Sequence, residues 1–221
     1  MSPMRPRFSA VLFDLDGTLT ESHPGILHCV RLSLEEMGLP IPPEDTLRRF
    51  IGPPLWYSYT TFCHLTPEQA EEAVERYRTH YHAGGYLECS VYPGILPLLE
   101  DLRAAGARLA VATAKPAQMA HAVCESFGIL SRVDFLSGNR EDEKGMGKRG
   151  LIEAACTGLG VPPRQAVMIG DTRYDRDGAR KAGTAFVGAA YGYGSPGELT
   201  GEGSLGAAQS PEGLRAYLLL P

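Results

Sequence analysis

The chain has 221 residues, 43% of them hydrophobic, and a formal net charge of −5. That length suits one sizeable core and a smaller module. The acidic balance argues against a nucleic-acid polymer as partner, and no apolar run approaches the ~18 residues that would suggest a membrane span. The basic opening from Met1 to Arg7 leads into an apolar stretch that stops at Asp14, too short for a secretory leader, so a cytoplasmic protein is expected. The cysteines at 29, 63, 89, 124 and 156 are scattered and never form a C-x-x-C pair, which suits reduced core thiols.

In chain order, Val11-Leu12-Phe13 reads as a buried parallel strand, apolar on both faces. It stops at Asp14 and Asp16, spaced i, i+2, followed by Gly17 and Thr18. A helix follows, with Ile26, Leu27, Val30, Leu34 and Met37 on one face, Pro24 near its start and Gly38 near its stop. A short helix around Asp45 to Phe50 ends at Gly52-Pro53-Pro54. Trp56, Tyr57, Tyr59 and Phe62 cluster next, and Thr66-Pro67-Glu68-Gln69 opens a helix as a capping box with Pro at its first position. His80 and His82 on that helix are expected to be a solvated surface pair.

From Pro93-Gly94 the rhythm becomes α/β. A helix carrying Ile95, Leu98, Leu99 and Leu102 precedes a strand over 108–113, then a helix over 116–127 and a short strand over 133–136. A charged, Gly-rich loop leads to a helix over 151–158, a strand over 165–169, a helical turn over 178–182 and a strand over 184–187. Residues 191–207 are expected to be loop; Gly192 to Gly197 fits G-x-G-x-x-G but lacks the βαβ unit that must follow it. The expected architecture is a doubly wound α/β core with a Rossmann-like parallel sheet, residues 1–20 and 91–221, and an inserted α-helical cap domain, residues 21–90.

Asp14, Asp16, Thr113, Lys148, Asp171 and Asp175 stand at strand ends or helix starts, hence at one edge of a parallel sheet, where open α/β folds bind ligands. An EF-hand reading of Asp14 and Asp16 fails, because Thr18 and Leu19 occupy positions that need an acid or Asn and a Gly. Lys144, in the same stretch, competes with Lys148. The four carboxylates gathered at that edge would repel by on the order of 4 kcal/mol per close pair at an effective dielectric of about 20. One lysine does not offset that, and a hard divalent cation would.

Asp14-x-Asp16-Gly17-Thr18-Leu19, Thr113, Lys148 and Gly170-Asp171-x-x-x-Asp175 resemble the four motifs of the haloacid-dehalogenase-like phosphohydrolases, and the helical insertion is similar to that family's small cap. Val91 to Gly94, Ala112 to Pro116 and Tyr191 to Ser195 are similar to segments of the phosphoglycolate-phosphatase-like branch. The resemblance implies a phosphatase for a small phosphorylated metabolite, with Asp14 as nucleophile and Asp16 as acid and base. It implies Thr113, Lys148 and the backbone around Gly17, Thr18 and Ala114 as the phosphate site. Mg²⁺ would be held by Asp14, the Asp16 carbonyl and Asp171, with Asp175 orienting a bound water or binding directly. Asp177, at a place usually apolar in the family, has no account at this level.

Substrate choice would lie in the cap, which contains no lysine. Arg49 or Arg48 beside Gly52 suits the carboxylate of phosphoglycolate. Trp56, Tyr57, Tyr59 and Phe62 would suit the base of a nucleoside monophosphate, as in a 5'-nucleotidase, though the favoured reading makes them the cap's own core. A phosphomutase is the other enzymatic alternative. A binding module that has lost catalysis is disfavoured, since none of the charged site residues is lost.

Overall fold

The computed structural model describes residues 5–51, 53–139 and 146–220. Strand β1 (Ala10–Phe13) is apolar throughout because it lies inside a six-stranded sheet, flanked on both sides and covered on both faces. The other strands are β2 (Arg108–Pro116), β3 (Phe135–Asn139), β4 (Ala166–Gly170), β5 (Ala185–Ala189) and β6 (Ser204–Ala208). Their spatial order is β3-β2-β1-β4-β5-β6, and every neighbouring pair is parallel. The direction of winding reverses between β1 and β4. Loops following two such strands diverge and leave a crevice at their carboxyl ends.

The helices α1 (Ile95–Ala104), α2 (Ala117–Ser126), α3 (Gly147–Leu159) and α4 (Arg173–Ala182) connect the strands. The first three each bury an apolar stripe: Leu98, Leu99 and Leu102 on α1, Met119, Ala120 and Val123 on α2, Leu151, Ile152 and Ala155 on α3. α3 packs against β2, β3 and α4. Its Ile152, Cys156 and Leu159 share one cluster with Leu12, Ala110, Met168 and Phe186 of the sheet.

The chain divides into two compact units, residues 1–21 with 91–221, and residues 22–90. Unit 2 is helical, built on His23–Glu36, Leu55–Phe62 and Pro67–His82. The capping box opening the third helix is formed in both directions, Gln69 N–H donating to Thr66 Oγ1 (3.3 Å) and Thr66 N–H to Gln69 Oε1 (3.1 Å). The core of this unit contains Leu27, Val30, Leu34, Phe50, Tyr59, Tyr77 and Tyr81. Phe50 meets Tyr59 edge to face at 5.1 Å, and the Tyr59 hydroxyl lies 2.6 Å from Ser33 Oγ. Among the described residues, no helix is long and apolar enough to cross a membrane.

Several expectations shift. The third strand starts at Phe135, not Val133, because Asp134 is spent on the edge of β2: its N–H donates to Leu109 O (2.7 Å) and its Oδ2 accepts from Leu109 N–H (2.9 Å). The helical turn expected over 178–182 is a full helix from Arg173, initiated by a capping box between Thr172 and Asp175. Part of the expected loop is β6, whose Ser-Leu-Gly-Ala-Ala sequence has little strand propensity and is held by pairing with β5. Trp56 and Tyr57 are 44% and 49% exposed, so of the four cap aromatics Tyr59 is the one fully inside. His80 is part-buried with its Nε2 2.9 Å from Glu36 Oε1, whereas His82 is exposed.

Candidate active site

Strand β1 ends where Asp14 N–H makes its last ladder bond, to Ile169 O of β4 (2.9 Å). The chain then curls around one carbonyl: Thr18, Leu19 and Thr20 all donate their N–H groups to Leu15 O, at 3.2, 2.9 and 2.9 Å. Gly17 makes the curl possible. Its φ is +77°, and a Cβ there would lie 2.2 Å from Asp171 Oδ2. Asp14 and Asp171 thus stand at the ends of β1 and β4, on either side of the reversal.

Asp14 Oδ1 accepts from Leu15 N–H (2.8 Å), and its Oδ2 faces Lys148 Nζ at 2.9 Å. Lys148 Nζ also meets Asp175 Oδ1 (2.7 Å) and donates to Ala112 O (3.2 Å). Three acceptors thus match the three protons of the ammonium, so this buried lysine has a fixed position. Asp175 Oδ2 accepts from Thr172 N–H (3.1 Å) and Thr172 Oγ1 (2.7 Å), so the side chain that starts α4 also anchors Lys148. Asp171 is held by Tyr193 N–H on Oδ2 (2.8 Å) and Thr18 Oγ1 on Oδ1 (3.4 Å). Tyr191 donates its hydroxyl to Thr18 O (2.9 Å).

Carboxylate oxygens of Asp14, Asp171 and Asp175 all lie within 4.8 Å of one another. Burial, offset in part by Lys148, raises the Asp14 carboxyl from an ordinary 3.8 to about 6. Burial, with Asp175 and Asp14 adding to it, pushes Asp171 well above the usual carboxylate range. Burial opposes the Lys148 charge, but Asp14 and Asp175 more than compensate and hold its proton more tightly than usual. Carboxyls driven toward protonation in an all-oxygen cluster are what a hard divalent cation relieves. The residues present therefore fit such an ion.

Asp16 stands apart from that triad. Its Oδ2 is 3.0 Å from Lys115 Nζ, and its buried Oδ1 has no hydrogen-bond partner. Lys115 is a second buried cation, to which the sequence reading gave no role. In the sequence it is a lone lysine in Thr113-Ala114-Lys115-Pro116, and the acid it meets lies 99 residues earlier. Thr113 is buried and its Oγ1 accepts from Lys115 N–H (3.2 Å), whereas Ala114 is exposed. The Tyr191–Gly194 loop was likewise unassigned. Its contact with Asp171 joins residues 22 apart in sequence, beyond any local pattern.

Asp177 now has an account: its Oδ1 pairs with Arg176 (3.0 Å), whose guanidinium also donates to Glu198 O and Thr200 O. In unit 2, the Arg49 guanidinium lies over the Phe62 ring at 4.1 Å, and Arg48 reaches Glu44 at 3.8 Å. Gly52 and Lys144 lie outside the described residues.

The sequence pattern of the family described as haloacid dehalogenase-like hydrolase matches residues 11–189. Tyrosine-protein kinase PtkA of Mycobacterium tuberculosis is 39% identical over 83% of this chain, which spans only 62% of that relative. A 5'-nucleotidase of Pseudomonas aeruginosa is 36% identical over 87% of each chain. A phosphoglycolate phosphatase of Haemophilus influenzae is 32% identical over 86% of this chain and 89% of its own. The family pattern runs from the start of β1 to the end of β5, across every strand that brings an acid or lysine to the site. This chain belongs to the haloacid dehalogenase-like hydrolase family.

Proposed function

We propose that the chain is a Mg²⁺-dependent phosphatase that hydrolyses a small phosphomonoester through an aspartyl-phosphate, acting on a substrate such as phosphoglycolate. The observation that carries this reading is Asp14, a part-buried carboxylate with a fixed lysine on one side and two further acids within 4.8 Å. Asp14 attacks phosphorus as the ester P–O bond breaks, and water then releases phosphate from it, so one difficult step becomes two. Asp16 gives a proton to the leaving oxygen and takes one from the attacking water. Thr113 and the backbone around Gly17, Thr18 and Ala114 orient the phosphoryl oxygens. Lys148 supplies positive charge beside them.

Four carboxyls, Asp14, Asp16, Asp171 and Asp175, face two ammonium groups, Lys115 and Lys148, so their full ionisation would leave an excess of two negative charges before substrate arrives. Asp14, the Asp16 carbonyl and Asp171 would hold Mg²⁺, with Asp175 next to it, and the ion would neutralise that excess and the phosphate's charge. Asp175 already anchors Lys148 and the start of α4, which suits an orienting role better than direct ligation.

Two substrate classes follow from unit 2. Arg49 is exposed and suits a carboxylated substrate, with Gly52 as its companion. A second reading, a 5'-nucleotidase acting on nucleoside monophosphates, is favoured by the exposure of Trp56 and Tyr57, which leaves two aromatic faces free of the unit's core. The test is phosphate release from p-nitrophenyl phosphate, phosphoglycolate and nucleoside monophosphates, with and without EDTA. Activity that EDTA abolishes and that falls at least about 1,000-fold in Asp14→Asn is expected. Turnover that survives either treatment sinks the mechanism.

A further inference from the structure

We propose that Lys115 is a positioning residue for Asp16, fixing which carboxylate oxygen handles the proton; this rests on the phosphatase reading above. The Lys115 side chain is 4% exposed, and its ammonium sits 3.0 Å from Asp16 Oδ2. The other oxygen, Oδ1, is buried without a hydrogen bond. A carboxylate kept only for structure has both oxygens satisfied when buried. Here one oxygen is tethered and the other is buried with no hydrogen-bond partner, the state of an oxygen whose partner is a reacting group.

The backbone carrying Lys115 is itself fixed. Between Ala112 and Pro116 the pairing of β2 with β3 shifts register, and the bulge re-aims the side chains it carries. Asn139 Nδ2 donates to Ala114 O (2.8 Å), and Lys115 N–H donates to Thr113 Oγ1 (3.2 Å), bracing both sides of the bulge. A Cβ on Gly138 would come within 3.0 Å of Lys115 O, so the neighbouring strand also packs directly on this segment. The backbone from which this lysine reaches Asp16 is thus fixed.

In the first half-reaction the proton on Asp16 Oδ1 passes to the ester oxygen as its bond to phosphorus breaks and the Asp14–phosphorus bond forms. In the second, Oδ1 accepts a proton from water as the water oxygen bonds to phosphorus and Asp14 is released. Lys115 keeps its own protons and stays on Oδ2 throughout. Holding one rotamer in this way avoids the loss of rate that a freely turning acid would bring.

The experiment compares Lys115→Met and Lys115→Arg in the full chain with Mg²⁺. It uses an alkyl phosphate, whose leaving group needs a proton, and p-nitrophenyl phosphate, whose leaving group does not. Lys115→Met should lower single-turnover cleavage of the alkyl phosphate by about 100-fold, with KM unchanged within about twofold and a much smaller effect on the p-nitrophenol burst. Lys115→Arg should recover at least about tenfold of that loss, and Lys115→Met with Asp16→Asn should be no slower than Asp16→Asn alone. Each variant is melted first, and Lys115→Gln replaces the Met variant if that does not fold. Equal losses on both substrates, losses that multiply with Asp16→Asn, or a raised KM at constant kcat would each overturn the proposal. A wild-type chain that releases no phosphate overturns the phosphatase reading and this inference with it, which is distinct from an active wild type indifferent to Lys115.

Discussion

At the residue scale, the site depends on small distances that neutral composition would not suggest. Gly17 is the clearest case: its positive φ and the 2.2 Å that would separate a Cβ from Asp171 Oδ2 leave no room for any other residue. Gly17→Ala should cost about 1–3 kcal/mol in backbone strain and push Asp171 out of the carboxylate cluster. We expect Mg²⁺ affinity to fall by at least about tenfold in isothermal titration calorimetry; unchanged affinity would mean that Asp171 does not depend on the glycine. Asp14, Asp16 and Gly17 were legible in the sequence because an apolar strand that stops on two acids and a glycine is a local pattern. Lys115 was not, since a lone lysine at a strand end looks like a solvated one until the fold buries it against an acid 99 residues earlier in sequence.

At the element scale, α4 shows how one side chain serves both local structure and the site. Thr172 and Asp175 cap the helix reciprocally, and the same Asp175 binds Lys148. Periodicity alone shows no more than a turn here, because the first residues, Arg173 to Asp177, are mostly charged and lack an apolar stripe. Its start is set by the cap. Thr172→Val keeps the shape but removes the hydroxyl; stability should fall by about 1 kcal/mol, read by urea denaturation, with a drop in kcat larger than the change in KM as Lys148 loses its fixed partner. A variant as stable and as active as the wild type would show that the cap is dispensable. β6 was missed for the opposite reason: a Gly- and Ala-rich strand carries almost no propensity, and only the open edge of β5 recruits it.

At the scale of the whole molecule, the balance of buried charge is the governing fact. The fold holds the Asp14 carboxyl at about 6 against an ordinary 3.8, with burial as the main cause. Between those values the native state binds more protons than the unfolded chain, so metal-free stability falls as pH rises through about 4 to 6. The Asp14 share of the penalty, on the order of 3 kcal/mol at 1.36 kcal/mol per pKa unit, is then fully present above pH 6, and Asp171, pushed well above the usual range, carries the fall to higher pH. A divalent cation replaces those protons. The rise in Tm on adding Mg²⁺ should therefore be small near pH 4 and grow through pH 6 and beyond, and Asp14→Asn should flatten the part of the curve between about 4 and 6. A Mg²⁺ effect that does not change with pH in scanning calorimetry would contradict this account.

The sequence by itself determined the alternation of strands and helices, the helical insertion after the first strand and the acids at the strand ends. These follow from periodicity, caps and abrupt polarity changes, all of which act within a few residues. Only the tertiary structure decided which cation each acid receives, Lys148 for Asp14 and Asp175 and Lys115 for Asp16. It also decided that Tyr193 N–H braces Asp171 and that Trp56 and Tyr57 stay outside their unit's core. Pairings of that kind join separate strands and loops, and their strength comes from burial, which the fold creates and no local segment encodes.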